Sequence, residues 1–376
     1  MLPPELFDAI IWQARDDLQA LGVCALVCKS WLASSRHHTF SHFVFVLRPD
    51  NADDFLDLIL ARHATLPPYI VRVELVSDDW SRGYHLRWLS RVIDVLATLP
   101  SLTVLRVENI SWNALSAPAR AGFLIQFQRL THLELRACDF NSFANLCRLV
   151  ASKPALQSLL CDDLGWEDPQ TAEDAVVPST LSSLRLSGCY ERDVLNWLVA
   201  QPRLPVIRHL ELGAVSPPDT AAIGNFLRQL GPSLKLLQFA FWSLDPGGDA
   251  EDFCAHVDLS HNTRLDTIVL DKFIHYSTYR FSSAIGWIPQ LLSRSRSLRR
   301  VFLGVSILSI SELSPEDDPI DWAALDNIFC SLATLCFRVL AIVELAEIAA
   351  VIKLLLPKCA ARNDMLQFVS RAEIPD

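Results

Sequence analysis

The sequence predicts an α/β chain: a solenoid of about ten strand–helix units preceded by three short helices. Three observations carry this. One spacing pattern (apolar, two residues, apolar, one residue, apolar) recurs every 25 to 39 residues. Amphipathic stretches of helical period lie between its copies. Residues 2–45 lack the pattern and read as helices instead. The chain's 376 residues are enough for such an array, and 51% apolar against 20% charged residues excludes disorder for most of it.

In chain order, three short helices come first. Pro3 and Pro4 suit a first helical turn, and Leu6 and Ile10 share a face. Asp16 or Asp17 can cap a second helix carrying Leu18, Leu21 and Cys24. Leu26, Val27 and Trp31 continue in a third, with the break placed near Gly22. So small a segment buries too little surface to stand alone and must lean on the repeats or on a partner. A first strand is expected over 42–47 and a helix over 53–63.

The repeats follow as Leu102/Leu105/Val107, Leu130/Leu133/Leu135, Leu156/Leu159/Cys161, Leu181/Leu184/Leu186, Ile207/Leu210/Leu212, Leu234/Leu237/Phe239, Leu265/Ile268/Leu270 and Leu298/Val301/Leu303. Weaker copies flank them at Ile70/Val73/Leu75 and Phe337/Leu340/Ile342. Within each copy the last two apolar positions alternate with other residues, as in a short strand with one face buried. Leu86, Leu89, Ile93 and Leu96 share a helical face, as do Phe143, Leu146 and Val150, and Val194, Trp197 and Leu198. A strand and a helix at this interval bury their apolar faces only by stacking on neighbours. A doubly wound α/β domain also alternates strands and helices, but does not repeat one strand motif this often. Residues 166–179 and 217–221 read as irregular connections, the array runs over 42–359, and 360–376 read as a C-terminal tail.

The N-terminal run resembles an F-box, in the form common among fungal proteins. The resemblance rests on Leu2-Pro3-Pro4-Glu5-Leu6, Ile10-Ile11, Leu26-Val27-Cys28-Lys29-Ser30-Trp31 and Ser35-Arg36-His37-His38 before Phe40. It covers 1–41 and implies docking to a Skp-family adaptor, and through it to a cullin, in an SCF-type ubiquitin ligase. Leu2, Pro3, Pro4, Leu6, Ile10, Leu18, Leu21, Val27 and Trp31 then supply the adaptor contact and the segment's own small core. His37 and His38 are expected to be exposed. The repeats resemble leucine-rich repeats of the irregular, cysteine-containing kind, which implies a right-handed horseshoe. Three residues past the last strand position, where that family has asparagine or cysteine, Cys138 and Cys189 occur in two copies. The others hold Ile110, Leu164, Val215, Trp242, Phe273 and Ser306. Together the two parts resemble a substrate-receptor subunit, a non-catalytic role. The alternative is a leucine-rich interaction scaffold, outside the ubiquitin system, whose helices serve only as an N-terminal cap.

Alternation along the strands selects the residues of the concave face. One column reads Glu74, Arg106, Glu134, Leu160, Arg185, Glu211, Gln238, Val269, Phe302 and Ala341. In its first part Arg106 falls between Glu74 and Glu134, and Arg185 beside Glu211. The later copies bring Leu236, Val269, Phe302 and Val339 to the same face, an apolar patch that a protein substrate or residues 365–374 would cover.

No nucleophile elbow, zinc-protease helix, phosphate loop or dinucleotide fingerprint occurs, so no catalytic residue is proposed. The ten cysteines make no C-x-x-C pair, and no metal or cofactor is expected. They read as small buried hydrophobes in a reducing compartment. A net charge of -10 argues against a nucleic-acid partner. Pro3, Pro4, Glu5 and Asp8 interrupt any leader-like run, and the most apolar stretch, 337–356, contains Arg338, Glu344, Glu347 and Lys353. A chain away from membranes, cytoplasmic or nuclear or both, is therefore expected.

Overall fold

The computed structural model describes residues 3–41, 43–77, 86–241, 249–275, 287–295, 297–313, 321–341, 344–362 and 365–370. The chain divides into two compact units, Met1–Thr180 and Leu181–Asp376.

The first unit opens with helices α1 (Pro4–Trp12), α2 (Leu18–Ala25) and α3 (Lys29–Ser41). Then follow β1 (Val44–Leu47), α4 (Ala52–Leu60), β2 (Arg72–Val76), α5 (Arg87–Leu96), β3 (Val104–Glu108), α6 (Ala117–Ile125), β4 (His132–Arg136), α7 (Phe143–Ala151) and β5 (Ser158–Asp162). Strands β1 to β5 pair in chain order, all parallel. The expected first strand and helix are β1 and α4, each a few residues shorter than read.

The second unit contains β6 (Ser183–Ser187), α8 (Glu191–Val199), β7 (His209–Val215), α9 (Pro217–Leu230), β8 (Leu236–Phe241), α10 (Asp249–His256) and β9 (Thr267–His275). It continues with α11 (Trp287–Ser293), β10 (Arg300–Ile307), α12 (Trp322–Phe329), β11 (Thr334–Ala341), α13 (Leu345–Leu355), α14 (Pro357–Ala360) and β12 (Leu366–Ser370). Strands β6 to β12 are again parallel neighbours in chain order.

Parallel neighbours in chain order need crossover connections, and because such connections take one hand they carry the connecting helices to one sheet face and leave the other open. The buried row under the helices is the repeat pattern itself. Leu105, Leu133 and Leu159 stand side by side in β3, β4 and β5, as do Leu210, Leu237 and Ile268 in β7, β8 and β9.

Two recurrent devices complete each repeat. The residue two past the last strand position takes the left-handed conformation in five copies: Asn109, Ala137, Asp163, Gly188 and Lys272, with φ from 47° to 58°. This turn sends the following side chain inward, so Ile110, Cys138, Leu164 and Phe273 are buried. The Cys138 thiol donates to the Arg136 carbonyl at 3.2 Å. The second device caps helix C-termini from the next repeat. Lys153 Nζ donates to the carbonyls of Phe123, Leu124 and Gln126 at the end of α6. Asn262 bonds the Leu227 and Gly231 carbonyls at the end of α9, and Arg294 those of Cys254 and Val257 at the end of α10. Carbonyls of a helix's last turn lack a following N–H to accept from, so such donors satisfy them; the Leu227 carbonyl also accepts from the Gly231 N–H.

The structure corrects several expectations. Residues 217–221 form the first turn of α9 rather than a connection, because Pro217 and Pro218 occupy positions that need no N–H partner. Helix α2 runs unbroken through Gly22, and the chain breaks after Ala25 instead. The last repeat is registered on Leu332/Leu335/Phe337, since Leu335 and Phe337 pair with Val301 and Leu303. The pattern read at Phe337/Leu340/Ile342 lies five residues too late, and Ile342 is outside the described residues. Residues 366–370 are not a covering tail. They add β12 to the sheet, with Leu366 and Phe368 opposite Leu335 and Phe337.

Candidate docking surfaces

The first surface is built by α1 to α3. Pro3 and Pro4 start α1, and Asp17 caps α2 by accepting from the Ala20 N–H at 2.9 Å. The interior is small: Ile11 and Leu21 are fully buried, and Phe7 meets Trp31 with ring centroids 5.9 Å apart. Across it His38 Nε2 lies 2.9 Å from Asp8 Oδ1, and Ser34 also donates to that oxygen. Ser34, and next to it His38, hold the Asp8 carboxyl below its ordinary range despite some burial. His38, expected to be exposed, is 5% exposed, because it spans α3 to α1 and meets the Trp12 ring edge-on. Helix α3 packs on the turn Pro67–Tyr69, and Arg36 donates to Thr65 at 2.5 Å.

That leaves a face of α1 and α2 with no cover. Leu6, Ile10, Leu18 and Val27 are each 48% to 59% exposed, and Leu26, between α2 and α3, is 87% exposed. Val23 and Trp12 join them. Of the residues named from sequence, Leu21 belongs to the interior and cannot touch a partner. Trp31 is half-buried on Phe7, and Pro3 is exposed. Leu2 and the Pro4 side chain lie outside the described residues. Val23, Leu26 and Trp12 were missed as surface residues. Helical spacing from Leu18 would not have found Leu26, which sits past the helix end.

The second surface is the open sheet face of the first unit, and it is polar. Arg106 Nε donates to Glu134 at 2.7 Å, and its Nη1 reaches Glu74 at 3.3 Å, the ladder read from sequence. Burial, and beyond it the neighbouring Glu108, raise the Glu74 carboxyl, while Arg106 opposes this. Burial lowers the His132 imidazole, assisted by the Arg72 charge. The charges satisfy one another, and exposed pairs of this kind contribute about 1 kcal/mol or less each.

The third surface is the open face of the second unit. Arg185 Nε bonds Glu211 at 2.9 Å. The Gln238 amide nitrogen donates to Glu211 at 3.1 Å and to Asp271 at 2.6 Å. The apolar patch expected from Leu236, Val269, Phe302 and Val339 is reduced to Leu236 and Phe302, both half-buried. Val269 stands in the right column but is 1% exposed, between the longer Gln238 and Phe302 on flanking strands. Val339 is 3% exposed and pairs with Val305 in the buried row, a consequence of the corrected register of β11. Ala341, read into the same column, yields its place to Cys336, which pairs with Phe302. The Arg338 guanidinium lies over the Phe302 ring, 4.8 Å from its centroid.

All ten cysteines are free. Burial pushes the thiols of Cys138, Cys147 and Cys254 up to about 12, so they are inert core atoms. His256 and Asp258 have local partners: His256 bonds the Asp252 carbonyl, and Asp258 caps the turn Leu259–His261. Among the described residues no three His, Cys, Asp or Glu converge, and no helix is long and apolar enough to cross a membrane. A cleft of about 410 Å³ between the ends of α5 and α6 is walled by residues 96–102 and 125–129, and Arg129 donates there to the Pro100 carbonyl.

No family model matches the chain. No curated protein matches it either. Twenty-one chains of solved structures do. One, from the crystal structure of the Rad7 and Elc1 complex in yeast, is similar at 15% identity with a TM-score of 0.39, over 92% of this chain and 94% of that one. At that score the overlay is too loose to transfer residues or partners.

Proposed function

We propose that this chain is a substrate-receptor subunit of an SCF-type ubiquitin ligase. Its N-terminal helices dock a Skp-family adaptor, and the open sheet face holds a protein substrate. One observation carries the reading: Leu6, Ile10, Leu18, Val23, Leu26 and Val27 are left exposed by helices too small to be stable in isolation. Burying one such side chain is worth roughly 1.5–3 kcal/mol. This face is therefore costly to leave in water and strongly favourable to cover. The F-box-like blocks in the sequence supply the kind of partner. In this role the chain performs no chemistry of its own, and ubiquitin transfer belongs to other subunits.

The contact of α3 with the turn Pro67–Tyr69 favours a second role for the same helices, as a cap on the first repeat. The roles are compatible, because the capping contact uses α3 and the uncovered face belongs to α1, α2 and the residues between α2 and α3. Co-expression with a Skp-family adaptor tests the proposal. The wild-type chain is expected to co-purify with it in equal amounts, and a Val27→Glu variant with an unchanged melting temperature to lose it. A folded wild-type chain that fails to retain the adaptor leaves only the cap.

A further inference from the structure

On the open face of the second unit one cation is set apart. Other arginines of that face are engaged: Arg185 on Glu211, and Arg300, on the strand next to Arg338, on Asp266 through two nitrogens at 2.7 and 2.9 Å. Arg338 makes no hydrogen bond or ion pair among the described residues. Its guanidinium instead lies over Phe302, the partly exposed aromatic of the neighbouring strand, with its central carbon 4.8 Å from the ring centroid, and the residue is half-buried there. Contact with the ring face occupies none of its N–H groups, which have no acceptor among the described residues. Half-buried donors without acceptors are expensive, and a stacked guanidinium presents paired donors matched to a planar bidentate anion.

We infer that Arg338, stacked on Phe302, is a receptor for a single carboxylate on an extended segment of a protein partner. The carboxylate is favoured over a phosphate by its surroundings. Asp271 stands two strands away on β9, and Gln238 ties it to Glu211 further along the same face. One guanidinium among carboxylates suits a monoanion, whereas a dianionic phosphate gathers several cations. Leu236, a half-buried apolar residue of the same face, lies three strands across and four residues along from Arg338, roughly 20 Å at sheet spacing and strand rise. An extended peptide crossing the strands obliquely covers that in about six residues. The ligand is therefore an acidic residue with an apolar residue about six positions away. This deepens the reading of the open face as a substrate surface and is independent of adaptor docking.

The test is an array of extended peptides, each with one fixed Glu among varied residues, beside matched arrays fixed with Gln and with phosphoserine. The full-length chain is the probe, and the adaptor is titrated separately. Retention on the Glu array at least about tenfold above Gln is expected, with Leu, Ile or Phe enriched about six positions from the Glu. Arg338→Gln should abolish the preference and Arg338→Lys should restore little of it, both with unchanged melting temperature and unchanged adaptor binding. Equal retention on Glu and Gln, an Arg338→Gln chain that keeps the preference, or stronger retention on phosphoserine overturns the assignment.

Discussion

Lys153 shows how much a single residue carries in this architecture. It is 1% exposed, yet its ammonium meets three carbonyls at the end of α6. Burial pulls its pKa down to about 7. Three acceptors need three N–H groups, which only the protonated form has, and the negative end of the helix dipole supports it. Lys153→Met should cost about 2–4 kcal/mol, read by chemical denaturation, because one buried and two partly buried carbonyls lose their donor at once; a loss under 1 kcal/mol would mean that water replaces the ammonium. Glu191 is the opposite case. It is buried at the start of α8, and Oε2 has no hydrogen-bond partner. Burial first, then the Asp219 charge, push its carboxyl from 4.5 to about 8, although the Gly213 N–H opposes them. Between those values the unfolded chain is ionised and the folded chain protonated, so folding takes up a proton and stability falls as pH rises through the window. Glu191→Gln should flatten that fall, measured as melting temperature against pH; an unchanged slope would show that the group is not protonated in the fold. Neither residue was legible in sequence, since burial of a charged side chain depends on neighbours 20 or more positions away. His38 is a third example, read as exposed and found bridging α3 to Asp8.

At the scale of elements, the strands were legible because their period of two is imposed by the sheet and repeated many times. The last repeat was misplaced because two overlapping frames, Leu332/Leu335/Phe337 and Phe337/Leu340/Ile342, satisfy the same spacing. Only pairing with β10 selects the first. That error moved Val339 to the wrong face and turned β12 into a tail. The left-handed turns after the strands were invisible, since Asn109, Ala137, Asp163, Gly188 and Lys272 share no side-chain chemistry. The glycine that does matter for close approach is Gly213 on β7. A Cβ there would stand 2.9 Å from the Ser187 Cα of β6. Gly213→Val should therefore force those strands apart and destabilise the chain by about 1–3 kcal/mol in denaturant. Stability within error of wild type would show that β6 and β7 separate freely at that point.

Across the molecule as a whole, different faces do different work. The helix-covered side supplies stability, through apolar rows and the polar caps that tie one repeat's helix to the next. The open faces differ: charges in the first unit pair with one another, whereas the second leaves Leu236, Phe302 and Arg338 available. Seven of the seventeen exposed large hydrophobic residues among the described residues fall within 6–27, in or beside the N-terminal helices. Their docking role was legible only through resemblance, because periodicity alone could not separate the outward Leu18 from the inward Leu21. The most direct test of the receptor reading is amide hydrogen exchange on the full chain with and without a Skp-family adaptor. New protection is expected in α1, α2 and residues 26–28, with the strands of both units unchanged. An adaptor that leaves those amides exchanging at their free rate would contradict the account.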